Sequence, residues 1–233
     1  MILAGLHKTS LIDFPGRVSC VVFLTGCNFT CPFCHNSELA RGTYPQKIPL
    51  AQFIAFMTPR KKLLDGVVIT GGEPTLNPRL TELCRAIRDA GLSIKLDTNG
   101  SRPNVLEQLF KDRLVDYVAM DIKTPLAEYH PLLAKREMVA TLESSIRLIM
   151  ERAPDYEFRT TCVSPFVDGR KIIDMAHTIA GARRYVLQPF KAANMLQADF
   201  FENQTPEISR REIDRFRKAS TPLVRECLIR NEI

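Results

Sequence analysis

Short runs of apolar residues, most of them followed by a stretch with helical spacing, recur six times along the chain. They predict strands over Ser19–Leu24, Gly66–Thr70, Ser93–Asp97, Tyr117–Ile122, Glu157–Val163 and Tyr185–Pro189. Apolar positions three and four residues apart predict helices near Leu50–Leu64, Arg79–Ala90, Pro103–Lys111, Met138–Glu151, Arg170–Ile179 and Pro206–Arg217. Strands that alternate with helices indicate a parallel sheet, in a barrel-like or a doubly wound α/β fold.

Polar turns follow the second and third predicted strands. Thr70-Gly71-Gly72-Glu73 places a carboxylate on a glycine turn, where the backbone can approach a ligand closely and Glu73 can accept from a cationic amine. Asp97-Thr98-Asn99-Gly100 ends the third strand, although Asn-Gly is also a strong turn signal. Parallel α/β proteins build their active sites at these strand ends. Each turn is therefore either part of a site or a purely structural turn.

Charged residues share one face of the fourth and fifth strands. Asp121 and Lys123 alternate with apolar residues that should meet the helices, so the two charges are expected to point inward. Arg159 on the fifth strand and Gln188 on the sixth occupy similar positions. Inward charges need a partner or a ligand. An internal salt-bridge network and a ligand site both remain open at this point.

Size and composition predict one ordinary globular domain. The chain has 233 residues, of which 45% are hydrophobic and 25% charged. We expect a single domain over 1–233, with an N-terminal extension over 1–16 and a core over about 17–220. No apolar run is long enough for a bilayer span or a signal peptide, which predicts a cytoplasmic protein without a membrane partner. The net charge is +6 but no block of like charges appears, so no nucleic-acid partner is expected.

Three of the seven cysteines lie close together in a loop after the first strand. Cys27, Cys31 and Cys34 can bind three irons of a 4Fe-4S cluster and leave the fourth iron open, whereas an electron-transfer cluster uses four cysteines. A structural zinc site with His35 as fourth ligand is the alternative, although zinc ligands usually come as two separated pairs. The remaining cysteines lie on apolar stripes or in strands and are predicted to be inert core residues: Cys20, Cys84, Cys162 and Cys227.

The cysteine loop resembles the signature of the radical S-adenosylmethionine (SAM) superfamily. The spacing Cys27-x3-Cys31-x2-Cys34, with the aromatic Phe33 before the last cysteine, carries this resemblance. The segment from Gly5 to Gly16 and the pair His35-Asn36 are similar to the glycyl-radical-enzyme activases. Within them, the chain is most similar to activating proteins of anaerobic ribonucleoside-triphosphate reductase. The resemblance implies a partial (β/α)6 barrel that holds a 4Fe-4S cluster and SAM.

The resemblance also implies roles for the residues at the strand ends. Gly71, Gly72 and Glu73 match residues that receive the methionine amino group, and Lys123 and Arg159 match contacts to the carboxylate or ribose region. Asp97, Thr98 and Asp121 match positions where the related activase of pyruvate formate-lyase binds a monovalent cation, which adds such a cation to the expected cofactors. Where that activase has Leu-Pro-Tyr-His, this chain has Gln188-Pro189-Phe190-Lys191, so a histidine near the adenine is lost and Gln188 stands at the site.

The activity implied by the resemblance is hydrogen abstraction from a protein. The reduced cluster would cleave SAM to methionine and a 5′-deoxyadenosyl radical, which would take a Cα hydrogen from one glycine of a glycyl radical enzyme. Reduced flavodoxin or ferredoxin is the implied electron donor. Two other interpretations stay open: a radical SAM enzyme that acts on a small molecule or nucleotide, such as 7-carboxy-7-deazaguanine synthase, and a zinc-stabilised binding module without enzymatic activity.

Overall fold

The computed structural model describes residues 1–130, 133–192 and 195–230. Its strands are β1 (Ile2–Leu3), β2 (Gly5–Ser10), β3 (Ser19–Leu24), β4 (Ile48–Pro49), β5 (Gly66–Gly71), β6 (Ser93–Thr98), β7 (Tyr117–Asp121), β8 (Tyr156–Cys162), β9 (Tyr185–Pro189) and β10 (Cys227–Ile229). Its α-helices are α1 (Ser37–Arg41), α2 (Leu50–Met57), α3 (Leu80–Asp89), α4 (Pro103–Lys111), α5 (Arg136–Arg152), α6 (Gly169–Thr178) and α7 (Arg210–Ser220).

Eight strands form one open sheet in the order β10-β9-β8-β7-β6-β5-β3-β2. The six predicted strands are β3 and β5 to β9, and each pairs in parallel with the next. Helices follow most of them, which confirms the α/β class and the partial (β/α)6 barrel. The sheet is wider than predicted, because β2 pairs antiparallel with β3 and β10 pairs in parallel with β9. Residues 5–10, expected in an extension before the core, thus form an edge strand.

The two faces of the sheet bury different kinds of residue. Apolar side chains of each strand pack against the helices in one large core, as Val118 and Met120 of β7 do. The inner face holds only a small apolar cluster around Val68, Tyr117 and Ala119, which Phe14 caps from the N-terminal segment. Above this cluster the interior is polar. The predicted inward direction of the charges on β7 and β8 is confirmed.

Several helices begin or end at other residues than predicted, because a capping side chain or a proline determines the helix end. The last helix starts at Arg210, since the Ser209 side chain accepts from the backbone N–H of Glu212, so Pro206 is not its first turn. The predicted helix Leu50–Leu64 ends at Met57 and continues only as a short 3-10 turn that contains a proline. Helix α1 was not predicted. In the described ranges, no helix combines the length and apolarity needed to cross a bilayer.

Candidate active site

The cysteine loop runs from the end of β3 into helix α1. The carbonyls of Leu39 and Ala40, in α1, accept from the backbone N–H groups of Gly26 and Cys27 at 2.8 and 3.1 Å. Within the loop, Cys34 N–H donates to the Cys31 carbonyl at 3.1 Å. This backbone framework holds the three cysteines at one end of a cavity of about 240 Å³. The predicted convergence of the cysteine loop with the strand ends is therefore present.

The glycine turn after β5 packs directly against the start of the cysteine loop. Glu73 N–H donates to the Gly26 carbonyl at 2.7 Å, and Gly72 N–H donates to the Leu24 carbonyl at 2.9 Å. Gly71 has a φ of 125°, which side chains rarely adopt, and a Cβ at Gly72 would lie 2.2 Å from the Gly26 carbonyl oxygen. Close backbone approach explains both glycines, because only glycine leaves room for these contacts.

Replacing Gly72 with alanine should therefore displace the cysteine loop. We expect a loss of about 1–3 kcal/mol in the free energy of unfolding, as for other overpacked sites, and lower iron incorporation after anaerobic reconstitution. Gly169→Ala is the matched control, because the nearest atom to its added Cβ is a Phe216 ring carbon at 3.9 Å. Denaturant unfolding and iron analysis measure both effects. Equal behaviour of the two variants would contradict the packing argument.

Glu73 lies behind the glycine turn and does not line the cavity. Its side chain is buried, with the residue 1% exposed. The carboxylate accepts from Thr98 Oγ1 at 2.8 Å, from Asn99 N–H at 2.6 Å, and from both the backbone and hydroxyl of Thr75. Burial raises the pKa of Glu73, and these donors oppose that shift. The residue thus ties the ends of β5 and β6 together, and a direct contact to an amino group stays a prediction.

Two carboxylates and three cations form a cluster above the inner face. Arg159 bridges the carboxylates, with Nε 2.9 Å from Asp121 Oδ1 and Nη1 3.2 Å from Asp97 Oδ2. Lys123 Nζ lies 3.1 Å from Asp121 Oδ2, and the Lys95 ammonium pairs with Asp97. The salt-bridge network considered from the sequence exists, and all of its members except Lys95 line the same cavity as the cysteines. The network therefore adjoins the cavity that the three cysteines line, and its role as a ligand site stays a prediction.

The cations determine the charge of the two carboxylates. Burial by itself would raise the pKa of Asp121, but Arg159 and Lys123 outweigh it and hold this pKa at about 2. In the same way Arg159 and Lys95 outweigh burial and lower the pKa of Asp97. Asp121 in turn raises the pKa of Lys123, against the effect of burial. Asp97, Asp121 and Lys123 are therefore ionised near neutral pH.

Phe33 and His35 line the cavity and pack against further aromatic rings. The Phe33 ring lies between those of Phe166 and Phe190, with centroid distances of 5.0 and 6.4 Å. His35 stacks on Phe190 at 4.9 Å, and its Nε2 donates to the Lys191 carbonyl at 2.7 Å. This hydrogen bond engages one of the two ring nitrogens that His35 could offer to the zinc ion considered from the sequence.

Nearly all of the predicted site residues line this cavity. Glu73 is not part of the lining. The other twelve line the cavity: Cys27, Cys31, Phe33, Cys34, Gly71, Gly72, Asp97, Thr98, Asp121, Lys123, Arg159 and Gln188. Asn99 was missed as a site residue: its side chain donates to Asn28 Oδ1 at 3.0 Å and lies 3.8 Å from Cys27 Sγ. Its place after a strand was visible in the sequence, but the Asn-Gly pair indicated only a turn.

The donor set fits an iron–sulfur cluster. Burial raises the pKa of Cys31 to about 12 and also raises that of Cys27, so metal binding must displace the protons of these thiols. Backbone N–H of Phe29 approaches Cys27 Sγ at 3.4 Å, as donors to cluster sulfurs do. Over the described residues, no three His, Cys, Asp or Glu side chains converge as ligands of one metal ion. A cubane does not need such convergence, because each cysteine binds a different iron.

Comparison with known proteins assigns the family. A family model described as the radical SAM superfamily matches residues 21–180, which include the cysteine loop, the glycine turn and the charged cluster. The chain belongs to the radical SAM superfamily. It is accordingly a radical SAM enzyme, and the expected 4Fe-4S cluster and SAM are confirmed as its cofactors. The interpretation as a zinc-stabilised binding module is not supported.

Curated relatives include activating enzymes and a 7-carboxy-7-deazaguanine synthase. A protein of Methanocaldococcus jannaschii named "Putative glycyl-radical enzyme activating enzyme" is 34% identical, over 88% of this chain and 87% of its own length. Pyruvate formate-lyase-activating enzyme of Clostridium pasteurianum is 28% identical over 53% of this chain and 54% of its own. The 7-carboxy-7-deazaguanine synthase of Hyperthermus butylicus is 35% identical over 51% of each chain. The match to the first relative is thus the only nearly full-length one of these three.

A solved structure with bound S-adenosylmethionine shares the fold. Streptococcus suis SuiB bound to S-adenosylmethionine superimposes with a TM-score of 0.69 at 13% sequence identity, over 91% of this chain and 52% of SuiB. Identity this low supports the common fold and nothing about substrate.

Proposed function

We propose that this enzyme is an activase that generates a glycyl radical on a partner enzyme, and that the partner is anaerobic ribonucleoside-triphosphate reductase. The nearly full-length similarity to the Methanocaldococcus jannaschii protein carries the proposal. The match to pyruvate formate-lyase-activating enzyme supports the same activity over half of the chain. The resemblance of the chain to activating proteins of this reductase favours it as the particular partner.

The described side chains supply binding and charge in this reaction. Cys27, Cys31 and Cys34 would hold the cluster, and the glycine turn would present backbone groups to SAM. Lys123 and Arg159 bring positive charge to the same cavity, which suits the carboxylate of a methionine moiety. When bound, the 4Fe-4S cluster supplies one electron for the cleavage of SAM, and the adenosyl product accepts a hydrogen atom. The reaction requires no general acid or base from this chain.

A protein substrate needs an opening wide enough for a loop. The described sheet is open, because β2 at one edge and β10 at the other are not paired with each other. A glycine-bearing loop of the partner could enter there, and the surplus of positive charge on this chain favours an acidic partner surface. We further propose reduced flavodoxin or ferredoxin as donor, the cytoplasm as location, and one domain over the whole chain.

Action on a small molecule is the second candidate. The match to 7-carboxy-7-deazaguanine synthase favours it, although that match covers only half of each chain. The two candidates differ in the source of the abstracted hydrogen atom. In an activase the hydrogen comes from a backbone glycine of another protein, whereas in the rival it comes from a diffusible substrate.

Isotope labelling of the partner distinguishes the candidates. The reductase is produced with Cα-deuterated glycine and incubated anaerobically with reduced activase and SAM. We expect a glycyl radical signal in electron paramagnetic resonance and deuterium in the released 5′-deoxyadenosine. Omission of SAM, and substitution of the partner glycine by alanine, should remove both signals. Formation of 5′-deoxyadenosine without deuterium or glycyl radical would contradict this partner and favour a small-molecule substrate.

A further inference from the structure

Lys95 is a buried cation beneath the cavity that the sequence-based site did not include. It lies on the inner face of β6, two residues before Asp97, and is 1% exposed. Its ammonium group pairs with Asp97 Oδ1 and lies 6.0 Å from the Tyr117 ring centroid. Glu157 is the acidic residue on the neighbouring inner face of β8. Its carboxylate already accepts hydrogen bonds from Arg230 at 2.9 Å and from the Tyr117 hydroxyl at 3.0 Å. Asp97 is therefore the carboxylate with which Lys95 forms its ion pair.

With Lys95 in place, every carboxylate oxygen of Asp97 and Asp121 has a cationic partner in the chain. Lys95 bonds Asp97 Oδ1, Arg159 bonds Asp97 Oδ2 and Asp121 Oδ1, and Lys123 bonds Asp121 Oδ2. A monovalent cation at this place would have to share or displace one of these partners. Three cationic side chains already face two carboxylates, so a further positive charge would be repelled.

The third expected ligand of a cation is also engaged elsewhere. Thr98 Oγ1 donates to Glu73 Oε1 at 2.8 Å and accepts from Gly100 N–H at 3.1 Å. Thr98 is 3% exposed, and its hydroxyl forms part of the hydrogen bonds that join the ends of β5 and β6. Asp97, Thr98 and Asp121, the set that the resemblance assigns to a monovalent cation, therefore do not fit one in this chain.

We infer that the Lys95 ammonium group takes the place of the monovalent cation, as a covalently attached positive charge that holds Asp97 in position beside Arg159. Lys95 is thus a positioning residue: it acts on the SAM site through Asp97 and does not itself line the cavity. The inference rests on SAM binding in this cavity and is independent of which partner receives the radical. A built-in cation makes the site insensitive to the potassium or sodium of the medium.

Burial also has an effect on Lys95 itself. It lowers the pKa of the ammonium group, and the adjacent Asp97 carboxylate opposes that shift. The ammonium group is enclosed, and its carboxylate partner is two residues away on the same face of one strand. This geometry supports the role of Lys95 in holding Asp97. Replacement of this lysine by methionine keeps most of the chain length and removes only the charge.

The test compares cations at equal ionic strength, using potassium, sodium or choline chloride with the anaerobic holoenzyme. Equilibrium SAM binding to the oxidised cluster and the melting temperature are measured, so that no turnover is needed. For the natural chain we expect the same SAM affinity and melting temperature in all three salts. For Lys95→Met we expect about tenfold weaker SAM binding in choline and recovery of most of that loss in potassium. Lys111→Met, which removes an exposed lysine from the end of α4, should match the natural chain.

Each outcome decides the inference. Tighter SAM binding or a higher melting temperature of the natural chain in potassium or sodium would overturn it, and this arm needs no variant. A Lys95→Met protein that binds SAM as the natural chain does, or that binds weakly without recovery in potassium, would also overturn it. Failure to activate a reductase would leave these results unaffected, because neither measurement involves a partner protein.

Discussion

Replacing Cys31 with alanine should abolish formation of the 4Fe-4S cluster. Cys31 is buried at the end of the cavity, and the other two cysteines of the loop can bind only two of the irons. We expect near-complete loss of iron after anaerobic reconstitution, loss of the visible absorption of the cluster, and no 5′-deoxyadenosine. Iron and sulfide analysis with absorption spectroscopy measures this. The fold should persist, because the removed thiol belongs to a loop held by backbone hydrogen bonds.

Cys84→Ala provides the matched control. Cys84 is fully buried, with 0% exposure, on helix α3 among leucine and isoleucine side chains. Its loss should reduce stability by about 1 kcal/mol through a small cavity and leave iron content unchanged. If both variants lost iron equally, the assignment of Cys31 as a cluster ligand would be wrong.

Replacing Arg159 with methionine should have the largest effect on stability outside the cluster. The guanidinium group bridges Asp97 and Asp121, and its removal leaves two buried carboxylates with one cation fewer. Breaking a buried ionic network in this way costs about 3–5 kcal/mol. We also expect SAM binding to fall strongly, because the cavity loses positive charge. Denaturant unfolding and equilibrium SAM binding measure the two effects.

The pH dependence gives this prediction a second test. Asp121 has a pKa of about 2 in the folded chain and about 4 when unfolded. A lowered folded pKa means that its ionic contribution is complete above pH ~4 and is lost as the pH falls towards 2. The difference in unfolding free energy between the natural chain and Arg159→Met should therefore be largest near neutral pH and shrink below pH ~4.

Arg152→Met is the control for loss of an arginine. Arg152 pairs with Glu107 at 3.3 Å, and their side chains are 56% and 54% exposed. Such exposed pairs contribute little, so the change in unfolding free energy should be within about 0.5 kcal/mol at all pH values. A loss in this variant as large as that in Arg159→Met would contradict the role assigned to the buried network.

The sequence predicted the central six strands because each is a compact apolar run that ends in a polar turn. It predicted the direction of Asp121 and Lys123 for the same reason, since side chains alternate along a strand. Edge strands β2 and β10 were missed because they carry a weaker apolar signal: β2 contains exposed polar residues and β10 has only three residues. In addition, β10 pairs with residues far earlier in the chain, as Cys227 does with Tyr185.

The site was predicted less completely than the fold, because hydrogen-bond partners depend on three-dimensional contacts. The assignment of Glu73 to a ligand stays a prediction, and the sequence did not show that its carboxylate accepts from donors at the end of β6. Lys95 lies within a strand, and a lysine at such a position usually indicates an exposed face. Only the structure shows that this face is the closed interior and that Asp97 is its partner.

The most direct test of the account is the fate of SAM on the reconstituted enzyme. We propose that the cysteine loop and the charged cluster form one site, where SAM bound to the cluster is cleaved by one electron. Anaerobic reconstitution, reduction and addition of SAM should give methionine and 5′-deoxyadenosine in equal amounts, and both products should disappear in Cys31→Ala. An iron-loaded, reduced protein that leaves SAM intact, or a colourless protein that retains zinc, would contradict the account.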